Sequence, residues 1–185
     1  MTVDEEPDVK PQRTIAAVTT DSKALRKVYG AFATGVTVVT VGGETPHGMT
    51  ANSFTAVSLD PPLLLVCVGR TAMMHSFLGE AGEFGVSVLT TRQEPVARYF
   101  ADARRPLGAE QFDRVDWQPG PLTGVPLITG AQAHFECEVW GAYDGGDHTI
   151  FVGRLLSAQR WPEDEALLFM SGQFHQLERQ MGDVA

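Results

Sequence analysis

The chain has 185 residues and a formal net charge of −9, with an isoelectric point of about 4.9. This length favours a single domain with a sizeable core, and a composition of 43% hydrophobic and 20% charged residues is typical of a globular protein. So acidic a chain is expected to bind neither nucleic acid nor an anionic membrane, because phosphate groups would be repelled, although a local basic site for one phosphate group is still allowed.

Cys67 and Cys137 are the only cysteines and lie in different predicted strands. Without CxxC or metal-ligand spacing, they are expected to be buried small residues rather than a disulfide or reactive thiols. The histidines are scattered without paired spacing, so no metal site is predicted. No apolar run approaches ~18 residues and nothing resembles a signal peptide, so a cytoplasmic protein is expected.

Residues 1–20 are predicted to form a disordered acidic tail, followed by one domain over 21–178 and a short C-terminal tail over 179–185. From Asp21 onward, apolar residues follow the spacing of one helix face, and Gly35 stands where that helix would end. Further helices are predicted over 72–78 and, from a capping box at 91–94, over 92–101. The segment 102–130 is rich in proline, glycine and charge and is predicted to be mostly irregular.

Strands are indicated by β-branched, alternating or fully apolar runs that lie between turn residues. They are predicted over 36–41, 50–58, 63–68, 84–89, 133–140, 148–158 and 166–170. The strand over 133–140 alternates, which predicts one buried face and one polar face that carries His134, Glu136, Glu138 and Trp140. Strands that follow one another through turns favour an antiparallel sheet, and we expect it to close into a barrel because closure removes the edges.

The strand-like run from Thr50 to Ser58 is rich in small and hydroxyl-bearing residues. Small side chains leave the backbone open to a ligand, and hydroxyl and amide groups can bond a flat molecule with polar edges. This pattern predicts a cofactor cradle. The alternative is a weak strand whose hydroxyl groups face solvent.

Arg70 and Thr71 follow a buried strand and precede the predicted helix over 72–78. A helix N-terminus presents unpaired backbone N–H groups and the positive end of the helix dipole. Together with the charge of Arg70 and the hydroxyl groups of Thr71 and Ser76, this end is a candidate phosphate site. The alternative for Arg70 is a solvated surface charge.

Two further short motifs are candidates for ligand contact. Gly35, Val36 and Thr37 open the first strand, where backbone hinged at a glycine can lie against an aromatic ring; the alternative is a plain helix C-terminus. His148 stands at a hairpin end, where its imidazole can face a second ligand; the alternative is an exposed turn histidine. No P-loop, G-x-S-x-G elbow or G-x-G-x-x-G motif occurs, which argues against a Rossmann domain but not against use of a nicotinamide cofactor.

Five short motifs stand in a characteristic order along the chain. They are FATGVTVVT at 32–40, GMTANSF at 48–54, SLDPPL at 58–63, FGVSVL at 84–89 and GDH at 146–148. On these motifs the chain resembles the flavin reductase domain family over about residues 22–178. Members of this family are NAD(P)H:flavin oxidoreductases that serve as the small component of two-component flavin monooxygenases. The resemblance implies a mainly β fold, an antiparallel Greek-key split β-barrel of the FMN-binding type, a homodimer, and FMN or FAD held near the subunit interface.

The resemblance also implies roles for individual residues. Three would lie along the isoalloxazine: Gly35, Val36 and Thr37. Four would bond the ring edge and the ribityl chain, namely Thr50, Ala51, Asn52 and Ser53, and Ser58 and Leu59 would lie close by. Those that would lead to the phosphate are Cys67, Val68, Arg70 and Thr71. His148 would contact the nicotinamide of NADH or NADPH. Many relatives carry tyrosines and an arginine near the C-terminus. Here Phe174 can still stack on a ring, but the missing positive charge leaves the choice between NADH and NADPH open.

Three functions stay open on the sequence. In the first, hydride passes from NAD(P)H to N5 of a flavin that leaves as a substrate and supplies a separate monooxygenase. In the second, a tightly bound FMN reduces another acceptor. In the third, the chain is a non-enzymatic flavin carrier. The Gly-Asp-His turn favours a nicotinamide-using enzyme, in which the protein supplies orientation and a dry pocket and needs no nucleophile of its own.

Overall fold

The computed structural model describes residues 21–161 and 165–177. The predicted tails over 1–20 and 179–185 lie outside these residues. Strands predominate in the described ranges, and no helix there combines the length and the apolar character that a bilayer crossing requires.

The strands fall into one large and two small antiparallel sheets. In chain order they are β1 (Thr34–Gly35), β2 (Thr37–Val41), β3 (His47–Ala51), β4 (Thr55–Leu59), β5 (Pro62–Gly69), β6 (Glu83–Val88), β7 (Trp117–Pro119), β8 (Pro126–Ile128), β9 (Ala133–Gly145), β10 (His148–Arg160), β11 (Leu168–Met170) and β12 (Gln173–His175). Seven of them form the main sheet in the order β3-β2-β6-β9-β10-β5-β4, with the long β9–β10 hairpin in the middle. The small sheets are β1-β11-β12 and β7-β8.

Within the described ranges, three α-helices and two 3₁₀ helices connect the strands. They are α1 (Ser22–Tyr29), α2 (Met73–Ala81) and α3 (Glu94–Ala101), with 3₁₀ turns at Thr91–Gln93 and Gly108–Phe112. The carboxylate of Asp21 accepts a hydrogen bond from the Lys23 amide and so caps α1, which ends at Gly30 rather than at the predicted Gly35. The capping box uses Thr90 and Gln93, one residue earlier than predicted.

The main sheet is buried on both faces where β2 crosses it. Val39 packs with Met74 and Leu78 of α2, whereas its neighbour Val38 packs with Phe100 of α3. Successive side chains of a strand point to opposite faces, so the continuous apolar run of β2 serves two cores. Helices α2 and α3 are thereby positioned on either side of β2.

No sheet closes on itself within the described ranges, so the expected barrel is not confirmed. The edge strands β3 and β4 of the main sheet form no ladder with each other in this part of the chain. The predicted single strand over 50–58 is in fact two strands, because the chain leaves β3 after Ala51 and enters β4 at Thr55. The break at residues 52–54 carries the chain from one edge of the sheet to the other.

Two residues of the predicted polar face of β9 are buried, which is a correction, whereas Glu138 and Trp140 on that face are partly exposed. His134 and Glu136 are almost fully buried because the segment that contains β7 and β8, predicted to be irregular, packs over them. Glu136 Oε2 accepts hydrogen bonds from the amides of Leu122 and Thr123 and from the Thr123 hydroxyl. A loop distant in sequence thus supplies the hydrogen-bond donors of the Glu136 carboxylate, and the alternating pattern of β9 does not reveal this loop.

Candidate functional site

The register of β2 and β3 brings two groups of predicted site residues together. Thr37 lies opposite Ala51, and its hydroxyl donates a hydrogen bond to the Ala51 carbonyl at 2.8 Å. Val36 and Thr37 are buried, whereas Gly35 is exposed and a side chain added there would meet nothing within 4 Å. Gly35 therefore offers open backbone to a ligand.

The hydroxyl groups of the predicted cradle already bond the protein. Thr50 Oγ1 donates to the Ala97 carbonyl of α3 at 2.6 Å. Ser53 Oγ donates to the Cys67 carbonyl at 2.9 Å and accepts from the Cys67 amide at 3.0 Å. Asn52 lies between them and is exposed, so its amide is the side chain of this run that is best placed to meet a ligand.

His148 stands at the start of β10, directly opposite Gly69 at the end of β5. Its Nδ1 lies 2.7 Å from Asp147 Oδ1, and 48% of its side chain is exposed. The contact with Asp147 orients the imidazole at the rim of the sheet.

Arg70 lies at the same end of the sheet and is engaged by the β9–β10 turn. Its Nε donates to the Gly146 carbonyl at 2.8 Å, and its Nη2 lies 2.7 Å from Asp144 Oδ1. A phosphate bound by Arg70 would have to compete with the Asp144 carboxylate.

A cavity of about 380 Å³ opens between β3, the start of α2 and the chain that follows α3. Its lining includes two predicted site residues, Thr50 and Thr71, and the residues His47, Met49, Ala72, Met73, Met74, Phe100, Ala101, Ala103, Arg105 and Leu107. Ala72 is the N-cap of α2 and has no side-chain group to bond the first-turn amides. The positive end of that helix therefore faces the cavity.

Arg105 carries the one positive side chain among the described residues that line this cavity. Its Nη1 donates to the Asp102 carbonyl at 2.9 Å, and its Nη2 lies 3.2 Å from His47 Nε2 and donates to the Gly48 carbonyl. Burial lowers the pKa of Arg105, yet a guanidinium stays protonated in proteins. No described carboxylate forms an ion pair with it, although the nearby Asp102 carboxylate attracts it and acts to raise its pKa, so its charge is only partly balanced.

His47 is buried beside Arg105 and stacks on Phe77, with ring centroids 5.0 Å apart. Burial first, and the Arg105 charge second, lower the pKa of His47 to about 4. The imidazole is therefore neutral at physiological pH and accepts a hydrogen bond from Arg105 through Nε2. A cation beside apolar surface suits a ligand that has an anionic group and a flat apolar body.

Two predicted site residues lie far from this cavity. Ser58 and Leu59 pair with the start of β5, whereas Thr71 follows its end. Eight residues of extended strand span roughly 25 Å, so one ligand cannot easily touch both ends within one chain. Leu59 is 95% exposed, and Ser58 Oγ accepts a hydrogen bond from the Asp60 amide at 3.2 Å.

Phe174 lies in β12 and packs edge-on against Phe169, with centroids 5.3 Å apart. The guanidinium carbon of Arg98 lies 4.8 Å from the centre of the Phe174 ring. An arginine of α3, itself paired with Glu94, thus lies over the Phe174 ring.

The remaining predicted site residues are Cys67 and Val68, which lie in β5. Val68 is buried, and Cys67 is a half-buried free thiol. Cys137 is also free, as predicted, and burial is the main cause that raises its pKa to about 12.

Three residues that shape the cavity are not found from the sequence: His47, Phe100 and Arg105. The available signal is the pair Arg104-Arg105 in an acidic chain, directly after a predicted helix. Which of the two arginines faces inward is visible only in the structure, where Arg104 is exposed and paired with Asp102.

Comparison with known proteins agrees with this chemistry. The family model described as flavin reductase like domain matches residues 29–178. An NADH-dependent FAD reductase from Streptomyces globisporus is 58% identical over 154 residues, which cover 83% of this chain and 85% of that protein. The solved structure of a Streptomyces globisporus C-1027 NADH:FAD oxidoreductase in complex with NAD and FAD fragments has a TM-score of 0.84 at 51% identity, covering 90% of this chain and 99% of that one. BorF, the flavin reductase component of a bacterial two-component tryptophan halogenase, has a TM-score of 0.83 at 58% identity, covering 86% of this chain and 100% of that one.

Proposed function

The chain belongs to the family of flavin reductase like domains, and from this premise we propose that it is an NADH-dependent reductase of FMN or FAD. Reduced flavin leaves the protein and supplies a separate flavin-dependent monooxygenase or halogenase, as the name of the BorF relative suggests. Hydride transfer from nicotinamide to flavin N5 is the chemistry of the two bound molecules, and the protein binds and orients them.

The observation that carries this proposal is the cavity that contains Arg105. Its volume of about 380 Å³ falls within the range of small-ligand sites. It combines a guanidinium that forms no ion pair with a described carboxylate and a helix N-terminus with methionine and phenylalanine side chains. In a chain of net charge −9, such a site favours one anionic ligand against the general repulsion.

We assign the flavin phosphate to Arg105 and to the first turn of α2. Thr71 follows Gly69 by two residues, and Gly69 pairs with His148, so the Cα atoms of Thr71 and His148 are at most about 13 Å apart. An extended flavin can bridge that distance, and we place its ring near His148, with the exposed Gly35 and Asn52 as its further proposed contacts. His148, oriented by Asp147, then positions the nicotinamide.

We further propose a homodimer that completes a split β-barrel site. Helix α1 buries none of its residues, and Val28, Tyr29 and Phe32 are 66%, 71% and 77% exposed. An apolar surface of this kind is typical of a subunit interface. A second subunit would also give Ser58 and Leu59 a ligand to contact, since they lie far from the cavity of their own chain. We place the flavin reductase domain at 21–178 and expect a cytoplasmic enzyme.

The test is NADH oxidation, followed by absorbance, with and without added FMN or FAD. We expect a rate near zero without flavin and saturation as free flavin rises. Turnover without added flavin would instead assign a tightly bound prosthetic group. Flavin binding without any NADH oxidation would leave a carrier and contradict the proposed reductase.

A further inference from the structure

Arg70 is bonded through its main chain and its side chain to the turn that joins β9 to β10. Its backbone amide donates to the Asp147 carbonyl at 3.0 Å, and its Nε donates to the Gly146 carbonyl at 2.8 Å. Its Nη2 lies 2.7 Å from Asp144 Oδ1, an oxygen that also accepts from the Gly146 amide at 3.0 Å. One residue at the end of β5 thus holds both residues of the turn, Gly146 and Asp147.

This turn directly precedes His148, whose imidazole is fixed along two edges. An ionised carboxylate only accepts hydrogen bonds, so the contact of 2.7 Å with Asp147 Oδ1 places a proton on Nδ1 of His148. The opposite edge of the ring lies over Gly69, where a Cβ atom would stand 3.7 Å from Nε2. Gly69 and Arg70 are consecutive, so the backbone beneath the ring belongs to the same strand end that holds the turn. Any shift of the turn would therefore tilt the imidazole.

The donors of Arg70 are directed at the turn and not at the candidate phosphate site. A guanidinium presents its N–H groups in a rigid planar fork, so the donors that hold Gly146 and Asp144 cannot serve a phosphate at the same time. Among the described residues, the lining of the cavity that contains Arg105 includes Thr71 but not Arg70. The arginine that the sequence suggests for phosphate binding thus has another partner.

We propose that Arg70 is a positioning residue for the reaction with NADH, because it holds the turn that orients His148 towards the nicotinamide. This inference rests on the proposed function, in which His148 contacts the nicotinamide. Asp144 takes part by accepting from both Arg70 and the turn. A contact group that is held in place before its ligand arrives binds that ligand at a smaller entropic cost. Since Arg70 acts through His148, its contribution must disappear when the imidazole is removed.

The first test measures the turn itself, by hydrogen–deuterium exchange of the full chain without any ligand. Arg70→Ala removes the side-chain bonds to Gly146 and Asp144, so we expect amides over 144–148 to exchange about threefold faster or more. Arg154→Ala is the matched control, because Arg154 forms an exposed pair with Glu138 further along the same hairpin. It should leave exchange at the turn unchanged. Equal exchange in Arg70→Ala and the unmodified protein would overturn the proposal.

The second test is a double-mutant cycle on the KM for NADH. Arg70→Ala alone is expected to raise this KM about fivefold, and to have no further effect in the His148→Ala background. Arg70→Lys keeps a charge opposite Asp144 but loses the planar fork, so it should restore part of the loss. Arg154→Ala should leave the KM unchanged. Equal effects of Arg70→Ala with and without His148 would show a general structural role and overturn the proposal.

The same variants separate this role from phosphate binding. Arg70→Ala should leave the KM for FMN and the KM for riboflavin near their original values. A raised KM for FMN with an unchanged KM for riboflavin would assign Arg70 to the phosphate and contradict the positioning role. Failure of the reductase function would appear separately, as absent FMN reduction by the unmodified protein, whereas the exchange measurement does not depend on that activity.

Discussion

The Ser53 hydroxyl bonds both backbone groups of Cys67, donating to its carbonyl at 2.9 Å and accepting from its amide at 3.0 Å. Ser53 lies in the loop that joins β3 to β4, the two edges of the open seven-stranded sheet. One side chain therefore holds that loop against β5, next to the edge where β4 pairs. The small, polar sequence of this loop reflects a structural bond as well as access for a ligand.

We predict that Ser53→Ala lowers thermal stability. Removal of the hydroxyl leaves the amide and carbonyl of Cys67 without this partner, at a cost of about 1–3 kcal/mol. The midpoint of thermal unfolding, measured without ligand, should fall by several degrees. Asn52→Ala is the matched control, because Asn52 is exposed in the same loop. It should leave the melting temperature unchanged and raise the KM for flavin, and a reversed pattern would assign ligand contact to Ser53.

We predict that Arg105→Ala raises the KM for FMN about tenfold or more, because a charge-assisted bond to phosphate is lost. Riboflavin lacks the phosphate, so its KM should change little. Arg104→Ala is the control, since Arg104 is exposed and paired with Asp102 outside the cavity. Steady-state kinetics with both flavins make the comparison. An equal loss for FMN and riboflavin would show that Arg105 supports the fold around Gly48 rather than the phosphate.

His148→Ala is expected to raise the KM for NADH about tenfold while the Kd for flavin stays near its original value. The side chain is half exposed and held by Asp147, so its removal should remove a contact to nicotinamide without disturbing the core. Flavin affinity is measured by fluorescence quenching and NADH use by kinetics. Asp147→Asn keeps the imidazole but weakens its orientation and should give a smaller effect of the same kind. Parallel loss of flavin and NADH binding would refute this role.

Much of the fold could be predicted from the sequence because its strands carry strong local signals. The apolar run of β2 and the Asp-Gly-Gly-Asp turn before His148 identify elements that the structure contains. Closure of the sheet could not be predicted from the sequence, because it depends on whether β3 and β4 pair, and no local pattern decides that. The burial of Glu136 likewise depends on donors from Thr123, thirteen residues away in an apparently irregular segment.

Some residues of the candidate site could likewise be predicted from the sequence, and others could not. Thr50 and Thr71 could be predicted because hydroxyl-bearing residues at strand ends and before a helix are visible in the sequence. Arg105 and His47 could not, because they meet only when the chain after α3 packs against β3. The cation that faces the cavity is selected by tertiary packing, and the sequence shows only two adjacent arginines.

Acid should destabilise the protein through His47. Its pKa is about 4 in the folded state and near 6.5 when unfolded, so the unfolded chain binds more protons between these values. The contribution of neutral His47 is complete above pH 6.5 and is lost as the pH falls towards 4, at a cost of about 3 kcal/mol. Urea unfolding at several pH values should show a shallower pH dependence for His47→Gln, whose amide can still accept from Arg105. His148→Ala, which leaves His47 intact, should keep the steep dependence. If His47→Gln were as sensitive to acid as the unmodified protein, other groups would account for the loss.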